Sequence, residues 1–301
     1  MSFDPSWLWI PATLAAAAAQ TARNAMQRHL TASLGTVGAT HVRFLYGFPF
    51  ALAMLAVACG FAGRLPPMPD ASALGWISAG ALAQILATAA MLAAMRTQAF
   101  AVSIAFTKTE PVQVAIFAAA VLQEPVGLAG FAAIALATLG VMVLSGNPWA
   151  TKGGDWRAAA FGVAAGAFFA LSAVCYRGGI LALDEPQFWI AALTALALAL
   201  GLQAVAGSAY LALRDRDVLA RVVAAWRPSL FAGLMGALAS AGWFTAFSLA
   251  SAALVRTLGL VEMLYAFFVG RRMFAQRLAL REALGLALVL AGVGLLLALS
   301  A

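Results

Sequence analysis

Apolar segments of about 20 residues follow one another along almost the whole chain. An α-helix of that length, rising 1.5 Å per residue, spans the roughly 30 Å hydrocarbon core of a bilayer. Hydrophobic residues occupy 64% of the 301 positions and charged residues only 10%, against about 25% charged in a soluble domain. The sequence therefore predicts an all-α, integral multi-pass membrane protein. Ten segments are expected to span the membrane: 7–30, 36–59, 73–95, 98–121, 126–145, 156–178, 186–212, 229–249, 252–274 and 280–300.

Several function classes are disfavoured by the same sequence. The net charge is +7, but the basic residues stand singly at the ends of apolar segments and do not form the basic face of a nucleic-acid binder. We find no phosphate-binding loop, dinucleotide fingerprint or His-Glu-x-x-His motif, and the two histidines, His29 and His41, cannot form a metal cluster. We therefore expect a protein that is not an enzyme, without metal or cofactor, acting on a small-molecule solute in the lipid bilayer as a monomer or weak homodimer.

The chain contains an internal repeat with a period of 152 residues. This offset places Glu110 on Glu262 and Gly140 on Gly292, and matches other positions of the fourth and fifth segments to the ninth and tenth. We therefore divide the chain into halves, 1–147 and 148–301, of five helices each. Because each half has an odd number of spans, the second must be inverted across the bilayer relative to the first. Such inverted repeats are the plan of secondary transporters, whose substrate site lies near the midplane.

Two sequence blocks and the glycine-rich fifth segment, copied in the tenth, carry a family resemblance. The blocks are His41-Val42-Arg43-Phe44-Leu45 and Thr109-Glu110-Pro111-Val112 with its continuation to Glu124-Pro125. With these features the chain resembles the drug/metabolite transporter superfamily, in its ten-helix EamA-type branch, which includes the YddG-like amino-acid exporters. The second copy departs from the pattern, with Met263 in place of the proline. The resemblance implies a carrier working by alternating access, commonly an exporter of small metabolites, in the bacterial inner membrane.

Ionised side chains inside the apolar segments are the strongest candidates for function. A charge at the centre of a membrane helix costs about 2.5 to 3.5 kcal/mol on insertion scales and is kept mainly where it pairs or lines a cavity. The repeat aligns Arg256 with Ile104, one helical turn from Lys108. We therefore predict Lys108 and Arg256 as a pair that binds substrate. Snorkelling of Arg256 to the membrane surface is an equal alternative, because it lies about one turn inside its segment.

The two repeat-related acids have two possible roles. A carboxyl group in apolar surroundings can be protonated near neutral pH, which makes Glu110 and Glu262 candidates for proton coupling. Alternatively, they are structural partners of basic residues such as Arg43. Lys108 and Glu110 are about 200° apart on a regular helix and face different sides, unless Pro111 distorts the backbone. Intramembrane catalysis on a lipid or lipid-linked substrate, with either acid as the proton donor or acceptor, is the competing function.

Further polar residues could complete a substrate site. Gln20 and Asn24 share a helix face by their four-residue spacing, as do Gln84 and Thr88, and Trp243 could line a cavity wall. Hydrogen bonding between helices explains the polar residues equally well. Ordinary packing is the alternative explanation of the tryptophan.

The charges bound the substrate class. Four basic residues, Arg23, Arg43, Lys108 and Arg256, outnumber the two acids Glu110 and Glu262. A carboxylate-bearing solute such as an amino acid suits this excess, and we predict Arg43 as a further substrate-binding residue.

The family resemblance and the distribution of basic residues give opposite predictions for the side of the membrane on which the termini lie. With a cytoplasmic N-terminus, as the resemblance implies, the cytoplasmic connections hold little beyond Arg64 and Arg177. The opposite connections then hold Arg28, Arg96, Lys152, Arg157, Arg214, Arg216, Arg221, Arg227, Arg271, Arg272, Arg277 and Arg281. The enrichment of basic residues on the cytoplasmic side of membrane proteins therefore favours both termini outside.

Overall fold

The computed structural model describes residues 5–95, 106–145, 156–265 and 279–300, and every regular element in these ranges is helical. Short 3-10 turns occur at Pro5–Leu8 and Gly259–Val261. The α-helices are α1 (Trp9–Leu45), α2 (Gly47–Ala62), α3 (Ala71–Met95), α4 (Glu110–Val121), α5 (Leu128–Ser145), α6 (Trp156–Ala182), α7 (Phe188–Arg214), α8 (Arg216–Ala224), α9 (Trp226–Leu249), α10 (Ala252–Leu258) and α11 (Leu280–Ser300).

Seven helices in the described ranges are long and apolar enough to cross a membrane. They agree with the predicted class of α-helical, multi-pass membrane protein. The expected fourth segment is represented by the shorter apolar helix α4, since residues 98–105 lie outside the described ranges. The expected ninth segment is described only to residue 265. The count of ten spans therefore stays a prediction.

The helices form two compact units, and each unit draws on both halves of the sequence. The first contains Met1–Leu82 and Cys175–Ala250, and the second contains Ala83–Val174 and Ser251–Ala301. Each unit therefore combines segments that are distant in sequence.

In the first unit, the expected boundary between the first two segments is a kink and not a loop. Helix α1 continues through it, with Gly35 in a non-helical conformation (φ 69°, ψ 174°) that only glycine adopts readily. Helix α9 packs along α1 through small residues. A methyl group built on Gly242 would lie 2.9 Å from the carbonyl oxygen of Ala12, so the two backbones are in close contact.

The polar stretch between the expected segments 186–212 and 229–249 contains the nine-residue helix α8. Asp215 caps this helix by accepting a hydrogen bond from the Val218 amide at 3.1 Å. Val218 and Val222, four residues apart, lie on one face of α8 and both lie beside Gly38 of α1. A local capping residue and two apolar side chains on one face are thus sufficient to order this connection.

In the second unit, α5 and α11 form a glycine-lined contact that we call the α5–α11 seam. A methyl group built on Gly140 would lie 2.6 Å from the Val289 nitrogen, and one built on Gly292 would lie 2.5 Å from the Ala137 nitrogen. The two contacts are related by the 152-residue repeat. Gly285 lies against Leu144, so partners run in opposite directions and the helices are antiparallel. Gly140 and Gly292 therefore allow the backbones of these two helices to pack closely.

Candidate functional site

The second unit contains an interruption of the helix immediately before Glu110. Residues 106–107 are helical, Lys108 and Thr109 form a turn, and α4 starts at Glu110. In a regular helix the amide of residue 111 would donate to the carbonyl of Thr107, but Pro111 has no N–H and its ring would clash with that carbonyl. The Thr109 hydroxyl donates to the Phe106 carbonyl oxygen at 2.7 Å and stabilises the turn.

The matching position of the second repeat is also irregular. Between α10 and the helical residues 262–265, the 3-10 turn Gly259–Val261 replaces regular α-helix. Residues 108 and 109 correspond to 260 and 261 by the repeat offset, so both interruptions come directly before the repeated glutamate. Met263 stands where the first copy has Pro111. Met263 keeps the backbone N–H that Pro111 lacks, so the second interruption occurs without a proline.

The first of these interruptions is joined to α10 by an ion pair. The Arg256 guanidinium lies 2.5 Å from Glu110 Oε1, and the two side chains are 20% and 9% exposed. The negative charge of Glu262 also acts on Arg256. The basic partner of Glu110 is therefore Arg256, whereas sequence reasoning had named Arg43 as an example. Pairing with Glu110, not snorkelling alone, explains the position of Arg256.

Lys108 is partly buried in the turn that precedes α4. Its predicted pairing with Arg256 on one face rested on a regular helix from residue 104 to residue 108. Residue 104 lies outside the described ranges, and the turn at Lys108 interrupts the helix. The role of Lys108 in substrate binding therefore stays a prediction.

Two other polar side chains of the second unit, those of Thr88 and Gln113, form hydrogen bonds within their own helix or to the turn before it. The Thr88 hydroxyl donates to the Gln84 carbonyl oxygen at 2.9 Å, a local bond within α3. Sequence reasoning missed Gln113, whose side-chain amide donates to the Thr109 hydroxyl at 2.8 Å. Gly166 of α6 lies beside both Gln113 and the Thr107 carbonyl. The four-residue spacing from Thr109 to Gln113 was the signal that could have identified this residue.

The first unit holds a separate set of predicted residues. Trp243 donates from its indole nitrogen to Gln20 Oε1 at 3.1 Å, so the structure brings these two together. Asn24 accepts hydrogen bonds from the buried Arg23, the shorter being 2.8 Å. The Arg43 guanidinium lies 4.6 Å from the centre of the Phe44 ring. The hydrogen bond between Trp243 and Gln20 joins α9 to α1, whereas the other two contacts are between neighbours on α1. Substrate binding by these residues stays a prediction.

A buried hydrogen bond in the first unit was not foreseen. Gln203 is 1% exposed and donates to the Tyr176 hydroxyl at 3.1 Å. The Tyr176 ring in turn lies 4.7 Å from that of Phe244. No sequence spacing links these residues, which come from α6, α7 and α9. His41 is buried and hydrogen-bonded to Ser208 at 3.0 Å, in agreement with a packing role.

Comparison with known proteins defines the fold alone. Comparison of the sequence with protein-family models and with curated proteins gave no match. The chain is similar to a protein of known crystal structure, with a TM-score of 0.69, 14% identity and coverage of 98% of each chain. At that identity the similarity extends to the arrangement of helices over nearly the whole length, and not to activity or substrate.

Proposed function

We propose that this protein is a secondary transporter that moves a small carboxylate-bearing solute, with amino acids as the first candidates, across the bacterial inner membrane. We further propose that it belongs to the EamA-type branch of the drug/metabolite transporter superfamily, has ten spans in two inverted repeats, and works as an exporter by alternating access. The proposal assigns solute binding to Lys108 and retains Gln20, Asn24, Arg43, Gln84, Thr88, Trp243 and Arg256 as candidate polar contacts.

The observation that carries this proposal is the pair of helix interruptions at repeat-equivalent positions, each directly before a glutamate. Non-helical backbone at membrane depth is tolerated only where it is buried in protein or lines a water-filled cavity. Discontinuous helices are also where inverted-repeat transporters bind substrates and ions. The antiparallel α5–α11 seam, with contacts related by the repeat offset, supports the inversion of the second half.

The ion pair between Glu110 and Arg256 helps to decide which basic residue recognises the solute. Because Glu110 offsets the charge of Arg256, we assign recognition of the solute carboxylate to Lys108. A compact ammonium with three donors suits a carboxylate that must bind and leave repeatedly. Glu110 then has a structural role as the partner of Arg256, and Glu110 and Glu262 both stay candidates for proton coupling.

We expect Lys108→Ala to lower the initial rate of transport by about 10-fold to 150-fold. This range corresponds to the loss of one hydrogen bond to a charged group, roughly 1.5 to 3 kcal/mol. A thermal-shift screen of the purified protein against amino acids, organic acids and sugar phosphates would first identify solutes. Initial rates would then be measured in proteoliposomes containing equal amounts of the parent protein and the variant.

The matched control is Lys108→Arg, which keeps the charge and should retain part of the rate because its planar donors are placed differently. Chemical analysis of the transported solute tests the competing intramembrane enzyme, since a transporter releases it unchanged. If Lys108→Ala moves every accepted solute at the parent rate, Lys108 is structural and the assigned site is wrong.

A further inference from the structure

A basic surface surrounds the short helix α8 in the first unit. We define the α8 surface by the residues Arg214, Arg216, Arg221, Trp226 and Arg227. Helix α7 ends at Arg214 and α9 begins at Trp226, and both helices are long and apolar enough to span a membrane. The connection between them is a single short helix. The α8 surface must therefore lie close to the boundary between lipid and water.

Helix α8 is held firmly against α1. Val222 is fully buried in a cluster that includes Leu30, Leu34 and Val42. A methyl group built on Gly38 would lie 3.0 Å from the Val218 side chain, so the helix rests directly on the α1 backbone. The Tyr46 hydroxyl donates to the carbonyl oxygens at the end of α8, at 3.0 and 3.2 Å. The surface is therefore preorganised and not carried on a mobile loop.

Basic residues outnumber acidic ones in the connection between α7 and α9. Four arginines stand against two aspartates between residues 214 and 227, and all four arginines are exposed. Asp215 is engaged as the helix cap, and Asp217 lies in the first turn, where an acid favours the helix dipole. Arg216 donates from Nε to the Ala212 carbonyl oxygen at 2.9 Å, at the end of α7. The remaining positive charge is exposed at a level where lipid headgroups are found.

The aromatic residue of the surface suits the same location. Trp226 is 49% exposed at the start of a candidate span, and tryptophan is enriched where membrane helices meet the headgroups. The Arg227 guanidinium lies 5.2 Å from the centre of its ring. The ring can therefore contact the acyl chains while the neighbouring guanidinium binds a headgroup phosphate.

We propose that the α8 surface binds the headgroups of anionic phospholipids. Guanidinium groups present paired donors that match phosphate oxygens, and a negatively charged lipid surface attracts each nearby basic residue by about 1 kcal/mol, a factor of about five in affinity. The inference uses only the membrane location of the chain and is independent of the transported solute. It assigns to this connection a lipid partner that the transport cycle does not require.

The test measures lipid binding to the full-length protein in neutral detergent by native mass spectrometry. Phosphatidylglycerol and phosphatidylcholine are the two probes, and the variant is Arg221→Gln/Arg227→Gln. We expect the parent to prefer phosphatidylglycerol and the double variant to lose about 25-fold in affinity for it, at about fivefold per arginine. Phosphatidylcholine binding should be unchanged. Higher salt should weaken the preference.

The matched control is Arg281→Gln, which removes one exposed arginine at the start of α11, far along the sequence from α8. It should leave the preference close to that of the parent. Equal binding of both lipids, a preference retained in the double variant, or an equal loss in Arg281→Gln would each overturn the proposal. Displacement of phosphatidylglycerol by inorganic phosphate would also overturn it, because it would identify a soluble anion as the ligand. Arg221→Lys/Arg227→Lys, which keeps both charges but not the paired donors, should retain part of the preference, more than the glutamine double variant.

Discussion

Substitution of Gly292 by alanine is expected to destabilise the protein by about 3 kcal/mol, at the upper end of the cost of inserting a methyl group into a packed interface. The added methyl would lie 2.5 Å from the Ala137 nitrogen and 2.7 Å from the Ala133 carbonyl oxygen. Both are backbone atoms of α5, so relief requires the two helices to move apart. The measurement is the free energy of unfolding in mixed micelles at increasing concentrations of a denaturing detergent.

The same helix offers a matched control. A methyl group on Gly294 meets no atom within 4 Å, so Gly294→Ala should be neutral or stabilising by up to about 1 kcal/mol through helix propensity. Gly140→Ala should resemble Gly292→Ala, because its contacts are the repeat-related ones. A loss of less than about 1 kcal/mol in Gly292→Ala would show that the seam yields more easily than close-packed backbones allow.

Removing one partner of the Glu110–Arg256 ion pair is expected to cost about 3 kcal/mol of stability, because an uncompensated charge then remains largely buried. Arg256→Gln and Glu110→Gln should each show this loss. The double variant should recover part of it, giving a coupling energy of about 1 to 3 kcal/mol. Unfolding of all three variants would be measured under the conditions used for the glycine variants.

The ion pair between Arg64 and Glu185 provides the comparison. Its atoms are 2.6 Å apart, almost the same distance as in the first pair, and Glu185 is 1% exposed, but the Arg64 side chain is 42% exposed and reaches solvent. Solvent screening should therefore limit its coupling energy to about 1 kcal/mol or less. Equal coupling in the two pairs would contradict the view that burial makes the Glu110–Arg256 contact important.

The sequence was sufficient to predict the class of the protein and most helix positions. Apolar segments of spanning length leave an α-helix as the main solution in lipid, because every backbone group needs an internal partner. The tenth segment was expected at 280–300 and is observed as Leu280–Ser300. Glycine at the repeat-related positions 140 and 292 likewise lies where α5 and α11 pack closely. These features follow from local composition and spacing alone.

The ion pair and the helix interruptions were harder to predict from the sequence. The expected face shared by Lys108 and Arg256 assumed a regular helix from residue 104, which lies outside the described residues, and Lys108 itself stands in a turn. Pro111 signalled the first interruption, but no proline marks the second. Helix α8 was missed because its apolar positions are few, although Asp215 and the spacing of Val218 and Val222 indicate a short capped helix. Pairing across distant segments, as between Glu110 and Arg256, is set by packing and has no local signature.

The α5–α11 seam has a consequence for synthesis of the protein in the cell. Gly140 and Gly292 are separated by 152 residues, which a ribosome adds in roughly 8 to 30 s at 5 to 20 residues per second. During that interval the small-residue face of α5 is without α11 and must be covered by lipid or by other protein. Helix α5 tolerates this because its backbone hydrogen bonds are internal. Defects in the seam should therefore leave insertion intact and become visible as rapid degradation of the completed chain.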